Sequence, residues 1–190
     1  MVKPRVIAFG HRRQRGKDTA ATYLADDYGF AHDAFAHSLK EGIGRGVFGL
    51  SDDQLYGPLH IKETVDRFWK LTPRDILQRA GTEAMRHTFG GDVWVRTLFR
   101  RAQTRDIPTV VSDVRFIDEI EAVKTNDGFA VRIDRNIPYD PEVDEHQSEK
   151  DLVGYTNWDW VINNDGTLES LYEKLDLLMK ELKWPKKVLI

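Results

Sequence analysis

Residues 10–19 read Gly10-His11-Arg12-Arg13-Gln14-Arg15-Gly16-Lys17-Asp18-Thr19. They follow the run Arg5-Val6-Ile7-Ala8-Phe9, which reads as a buried first strand, and they open a helix predicted from about Lys17 to Tyr28 with Gly29 as its C-cap. A strand, a glycine loop, Gly-Lys and a helix in that order form the context of a phosphate-binding loop. Backbone N–H groups and the helix N-terminus cradle polyphosphate there, and Lys17 reaches the β/γ oxygens. The usual pattern puts four residues between the first glycine and Gly-Lys. Here five intervene, and Asp18, then Thr19, follow the lysine in place of an immediate Ser or Thr. Arg12, Arg13 and Arg15 supply more positive charge than one triphosphate needs. The competing reading is an ordinary strand–turn–helix with chance glycines.

Outward from this loop the chain alternates β-branched runs with helical patterns, as βα units do. Phe30 to Phe35 reads as a second strand, and helical pieces cover 37–66 with a break at Gly57-Pro58. Thr72-Pro73 is a helix start, and that helix runs to Gly90-Gly91. Asp92 is the expected cap of the next helix. Pro108 to Asp113 is a strand ending on an acid, and Phe116, Ile117, Ile120 and Val123 mark another helix face. Phe129–Asp134 and Trp160–Asn163 are strands, and Thr167 caps a last helix with leucines at helical spacing. The sequence therefore predicts one α/β domain over 1–190, a three-layer P-loop NTPase fold of about five parallel strands with helices on both faces. Ligands bind at the carboxyl ends of such strands. Residues 135–150, patternless and charged, have the length of a lid loop.

The 190 residues are 41% hydrophobic and 31% charged, which excludes a disordered chain. No apolar run approaches a membrane span, and the N-terminus turns polar too early for a secretory signal. With no cysteine, disulfides and thiolate chemistry are excluded, and a cytoplasmic setting is expected. Residues 1–105 carry 18 Lys+Arg against 12 Asp+Glu, while the remainder carries 10 against 19. A basic front half suits an anion, although uneven solvated surface explains the same count.

Several segments in order resemble the deoxynucleoside monophosphate kinases of bacteriophages. Gly16-Lys17-Asp18-Thr19 is the family's form of the loop. Phe35-Ala36-His37-Ser38-Leu39-Lys40 is similar to its Phe-Ala-x-x-Leu-Lys segment, and Pro73-Arg74-Asp75-Ile76-Leu77-Gln78-Arg79-Ala80-Gly81-Thr82 to its Pro-Arg-x-x-Leu-Gln-x-x-Gly-Thr helix. Ser112-Asp113-Val114-Arg115-Phe116 and Asp144-Glu145-His146-Gln147-Ser148-Glu149 match further segments, so the resemblance spans most of 5–182. It implies a kinase that uses ATP and Mg²⁺, with a host cytoplasm as its setting if phage-encoded.

On this reading ATP is held by Gly10, Arg15, Gly16, Lys17, Asp18 and Thr19. Thr19, Asp18 and Asp113 are the metal candidates, since Mg²⁺ needs only one or two protein oxygens. Lys17, Asp113 and the lid arginine Arg135 are the catalytic candidates; Arg132, close by, reads equally as an exposed strand residue. For the acceptor the candidates are Lys40, Arg74, Gln78, Thr82, Arg86 and Arg115, on the acceptor-binding helices of about 37–105 and just after the strand end at Asp113. Arg74, Gln78 and Thr82, four apart, are expected on one helix stripe. Trp69 and Trp94 read as core packing before base stacking, and Asn163-Asn164-Asp165-Gly166 as a turn before an adenine edge. Asp144 and His146 read as lid structure. The first expectation is transfer of the γ-phosphate of ATP to a deoxynucleoside monophosphate, with a homodimer allowed. The alternative is a kinase acting on a hydroxymethylated pyrimidine in DNA, favoured by the loop arginines and opposed by a pI near 6.1. A nucleotide-binding protein without turnover is the third.

Overall fold

The computed structural model describes residues 4–12, 14–138 and 151–187. In chain order the elements are β1 (Val6–Gly10), α1 (Lys17–Tyr28), β2 (Ala31–Asp33), α2 (Ala36–Ser38), a π-helical stretch Leu39–Arg45, α3 (Asp52–Tyr56), α4 (Leu59–Lys62) and α5 (Pro73–Gln78). A second π-helical stretch, Arg79–Arg86, leads to α6 (His87–Phe89), α7 (Val93–Arg105), β3 (Thr109–Val114), α8 (Ile117–Thr125), β4 (Phe129–Asp134), β5 (Trp160–Asn163) and α9 (Leu168–Glu181). They form two compact units, Met1–Ala34 with Phe99–Ile190, and the inserted Phe35–Leu98.

The first unit is built on a parallel sheet in the order β2-β3-β1-β4-β5. Residues on successive positions of a strand face opposite ways, so a sheet covered on both faces needs continuous apolar strands, and β1 is buried throughout. Ile7, Phe9, Val110, Val131, Ile133 and Ile162 meet Ala20, Ala21 and Leu24 of α1 and Leu171, Leu175 and Leu178 of α9 in one apolar core. On the other face α8 packs against β1 and β4 through Ile120 and Val123. The chain leaves β1 for β2 on one side and reaches β4 on the other, which makes the carboxyl end of β1 a topological switch point.

Local signals appear where the sequence places them. Gly29 closes α1, Thr167 accepts the Ser170 N–H at the start of α9, and Thr72 and Asp75 form a reciprocal capping box. The second strand is shorter than expected, Ala31–Asp33. The expected continuous helix from Thr72 to Gly90 is α-helical only to Gln78, then π-helical, then α-helical again. In the inserted unit the two π-helical stretches approach where Leu39 lies over Gly81, and Leu50, Leu55 and Ile76 form its small core. Of the expected lid, 139–150 lies outside the described residues, as do Asp144 and His146. Among the described residues no helix is long and apolar enough to cross a membrane.

One buried carboxylate pins the edge of the sheet. Asp33, ending β2 with a side chain 3% exposed, accepts from Arg101 at 3.0 Å, Arg105 at 2.7 Å and the Ala34 N–H at 2.7 Å. Burial pushes its carboxyl up, but the Arg101 and Ala34 hydrogen bonds and the two guanidinium charges hold it below the usual carboxylate range. A depressed pKa contributes stability above the unfolded value, lost as pH falls through the folded one. Asp33→Asn should lower unfolding free energy by about 2 kcal/mol at neutral pH. In urea melts the gap between variant and wild type should narrow as the pH falls below the ordinary carboxylate range; a gap independent of pH would assign the effect to packing.

Candidate active site

The link from β1 to α1 is a tight left-handed turn. His11, Gln14 and Gly16 have φ of 100°, 57° and 94°, and Gly16 is the N-cap of α1. Positive φ is costly for a side-chain-bearing residue such as His11, so the surrounding structure must over-determine it. Gly10 admits no Cβ because one would lie 2.6 Å from the Trp158 ring. Lys17, only 8% exposed, reaches back across the loop to donate to the Arg12 carbonyl. From the far side Asn164, 5% exposed, donates through Nδ2 to the Arg15 carbonyl at 3.0 Å. Arg13 lies outside the described residues.

β3 runs beside β1 and brings the second set of residues. Ala8 pairs with Val111 but Gly10 pairs with Val114, so β3 carries one extra residue at Ser112-Asp113. Such a bulge re-aims side chains at a strand end. Ser112 Oγ donates to Asp18 Oδ1 at 2.6 Å and lies 3.0 Å from His32 Nε2. A serine has one hydroxyl proton; with that proton directed at Asp18 Oδ1, Ser112 Oγ accepts from His32 Nε2. Asp113 is half-buried in the strand and does not cap α8, whose N-cap is Phe116. Buried Glu119 takes the N–H groups of Arg115 and Phe116.

A cavity of about 440 Å³ opens beside the loop, within the usual range of ligand pockets. Its cations are Arg12, Arg15, Arg132 and Arg135, and Asn136, Asn163 and Asp165 also line it. Arg132 pairs with Asp134. Burial raises the Asp134 carboxyl, but Arg132, with the nearby His11 and the Arg135 N–H, holds it below its ordinary value. His11 Nδ1 stands 3.4 Å from Asp134. Burial first, then the charges of Arg132, Arg12 and Arg15, lowers the His11 pKa to about 4 against the pull of Asp134, so the ring is neutral at neutral pH. Among the described residues, the positive charge lining the cavity therefore comes from guanidinium groups, with the carboxylates of Asp134 and Asp165 beside them.

Of the expected site residues, Gly10, Arg15, Gly16, Lys17, Asp18, Thr19, Asp113, Arg115 and Arg135 lie in the sheet unit, at the carboxyl ends of β1, β3 and β4 or in the segments that follow them. Lys40, Arg74, Gln78, Thr82 and Arg86 lie in the inserted unit. There Lys40 sits over the Tyr56 ring at 4.5 Å, and exposed Arg74 pairs with Glu63 at 3.3 Å. Arg74 and Gln78 share a regular α-helical face, but Thr82 and Arg86 follow the change to π-helical geometry, so the expected stripe is not one α-helical ladder. Trp94 is buried and donates to the Gly81 carbonyl; Trp69 donates to Phe48 O and stands edge-on to Phe48 and Phe68. The sequence reading missed Ser112, His32 and Trp158 as loop and site neighbours, and it read Asn164 only as part of the 163–166 turn with an adenine edge second, not as a partner of the phosphate loop. Its place after the carboxyl end of a strand is the further local signal for that role.

Asp18, Thr19 and Asp113 offer oxygen donors of the kind Mg²⁺ takes. Among the described residues no group of three or more His, Asp or Glu could hold a metal ion. That donor set fits an ion bound mainly by phosphate and water, with one or two protein oxygens.

A family model described as deoxynucleotide monophosphate kinase matches residues 59–175. A protein of Acanthamoeba polyphaga mimivirus, provisionally named a deoxynucleotide monophosphate kinase, is 35% identical over 175 residues, covering 84% of this chain and 88% of that one. Among solved structures, dephospho-CoA kinase from Campylobacter jejuni is similar with a TM-score of 0.53 at 14% identity, over 94% of this chain and 97% of that one. Shikimate kinase from Aquifex aeolicus gives 0.52 at 12%, over 93% and 96%. At such identities these likenesses speak to the fold, which is that of P-loop kinases. The family match and the viral relative each span most of the sequence, and the chain belongs to the deoxynucleotide monophosphate kinase family of P-loop phosphotransferases.

Proposed function

We propose that this kinase transfers the γ-phosphate of ATP to a deoxynucleoside monophosphate in the cytoplasm. The observation that carries the reading is Lys17, buried at the N-terminus of α1 inside a left-handed loop, with Asp113 on the neighbouring strand end. Phosphoryl transfer needs positioning and charge neutralisation more than covalent help. Loop N–H groups from Gly10 to Gly16, the α1 dipole, Lys17 and Arg15 would hold the donor phosphates. Arg135, with Arg132 beside it, would offset charge at the transferring group. Mg²⁺, when bound with the triphosphate, would neutralise its oxygens, and Thr19, Asp18 and Asp113 are the residues that would hold it or its waters.

Lys40, Arg74, Gln78, Thr82 and Arg86, with Arg115, are the proposed acceptor ligands. Arginine grips a phosphate in a bidentate way, and glutamine matches a base edge. A monophosphate is already ionised and requires no general base, so Asp113 acts by orientation in this reading. Neither the family match nor the viral relative adds support to a DNA acceptor.

Lys17→Ala should lower turnover ~10²-fold or more with the circular dichroism spectrum unchanged; near-normal turnover would overturn the phosphate-loop reading. Asp113→Asn should lower kcat at least ~10-fold with ATP affinity nearly preserved, because its carboxylate acts in the reactive complex. Equal losses in both would make it a binding residue.

An acceptor screen with labelled ATP should find activity on a mononucleotide, falling gently as salt rises. Arg74→Ala and Arg86→Ala should raise the acceptor KM and leave the ATP KM unchanged. Activity confined to DNA containing hydroxymethyluracil, with a steep salt slope, would replace the mononucleotide by DNA.

A further inference from the structure

We propose that Asn164 is a positioning residue of the donor site, holding the Arg15–Gly16 peptide so that the Gly16 N–H is presented to the donor phosphates. This rests on the donor reading above. Asn164 follows β5, 149 positions from the loop, and its side chain is buried. Its Nδ2 donates to the Arg15 carbonyl, and a Cβ on Gly16 would lie 2.5 Å from the same nitrogen. The amide is thus packed directly on the peptide where the loop becomes α1.

In a trans peptide the C=O and the following N–H point in opposite directions. Holding the Arg15 oxygen toward Asn164 therefore turns the Gly16 N–H away from it. Gly16, at φ 94°, is a position where glycine tolerates more than one backbone state, so this peptide could otherwise flip at small cost. The Asn164 hydrogen bond removes that freedom. Asn164 is itself anchored, since its backbone N–H donates to the Asp134 carbonyl at 2.6 Å, and the Asp165 carboxylate accepts the Asn136 N–H. One short segment thus ties the phosphate loop to the end of β4, which carries Arg132 and leads into Arg135.

Asn164→Asp keeps the size but turns the donor into an acceptor facing a carbonyl. Its ATP dissociation constant, measured against wild type, should rise about tenfold at ~pH 8, with the acceptor KM unchanged. A buried carboxyl facing an oxygen has a raised pKa. Lowering the pH toward ~5.5 should protonate it, restore a donor, and bring the ratio to wild type back toward one. Asn164→Leu should lose affinity without recovering at any pH. Wild-type affinity in Asn164→Asp at both pH values would overturn the inference, as would equal, pH-independent losses in both variants, which would assign packing alone. If either variant fails to fold in a urea melt, the wild-type Gly16 amide resonance decides: it should shift and gain exchange protection on ATP titration, and an unmoved amide overturns the inference. Wild-type protein that binds no ATP would instead overturn the donor reading, and this inference with it.

Discussion

Everything in the sheet unit converges on a backbone conformation that the chain between β1 and α1 would not keep by itself. Among the described residues there, His11, Gln14 and Gly16 have positive φ, and one of them is a histidine. Such a turn aims N–H groups into a concave face, which is what an anion requires, but it costs conformational energy. Neighbours offset that cost. Trp158 covers Gly10 from one side, Asn164 holds the Arg15 carbonyl from another, and Lys17 spans the loop to Arg12. The Trp158 and Asn164 contacts come from segments flanking β5, which the strand order brings beside β4 and so near the end of β1.

The same strand order sets the polarity of the site. β3 contributes carboxylate and hydroxyl: its extra residue at the level of Phe9 falls at Ser112-Asp113, and Ser112 donates to Asp18 at the start of α1. β4 contributes the Arg132 guanidinium, restrained by Asp134, and leads into Arg135. Buried His11 between them stays neutral because burial and the surrounding arginines both disfavour another positive charge. The result is a cationic cavity beside an acidic strand end, the separation of charge that phosphoryl transfer uses.

The inserted unit is built differently. Its core is small, its helices are short, and two stretches widen into π-helices. π-helical segments are rare and recur at functional positions. Here they carry Lys40, Thr82 and Arg86, three of the residues proposed above as acceptor ligands, so these side chains are not spaced as on a regular α-helix.

The sequence by itself determined the phosphate loop, the α/β class, the parallel strands, and the helix ends at Gly29, Thr72 and Thr167. These features are written in patterns a few positions long: the succession of apolar runs and helical periods, a glycine loop before Gly-Lys, a cap and its N–H. Only the tertiary structure decided that Asn164 supports the loop, that Ser112 links Asp18 to His32, that Asp33 takes two arginines of α7, and that Arg132 faces the cavity. It also decided the two-unit division and the change from α to π after Gln78. The physical reason is that a buried polar group is satisfied by whatever the fold brings beside it. That partner depends on which strands become neighbours, and a spacing of 149 positions between donor and acceptor leaves no local pattern to read.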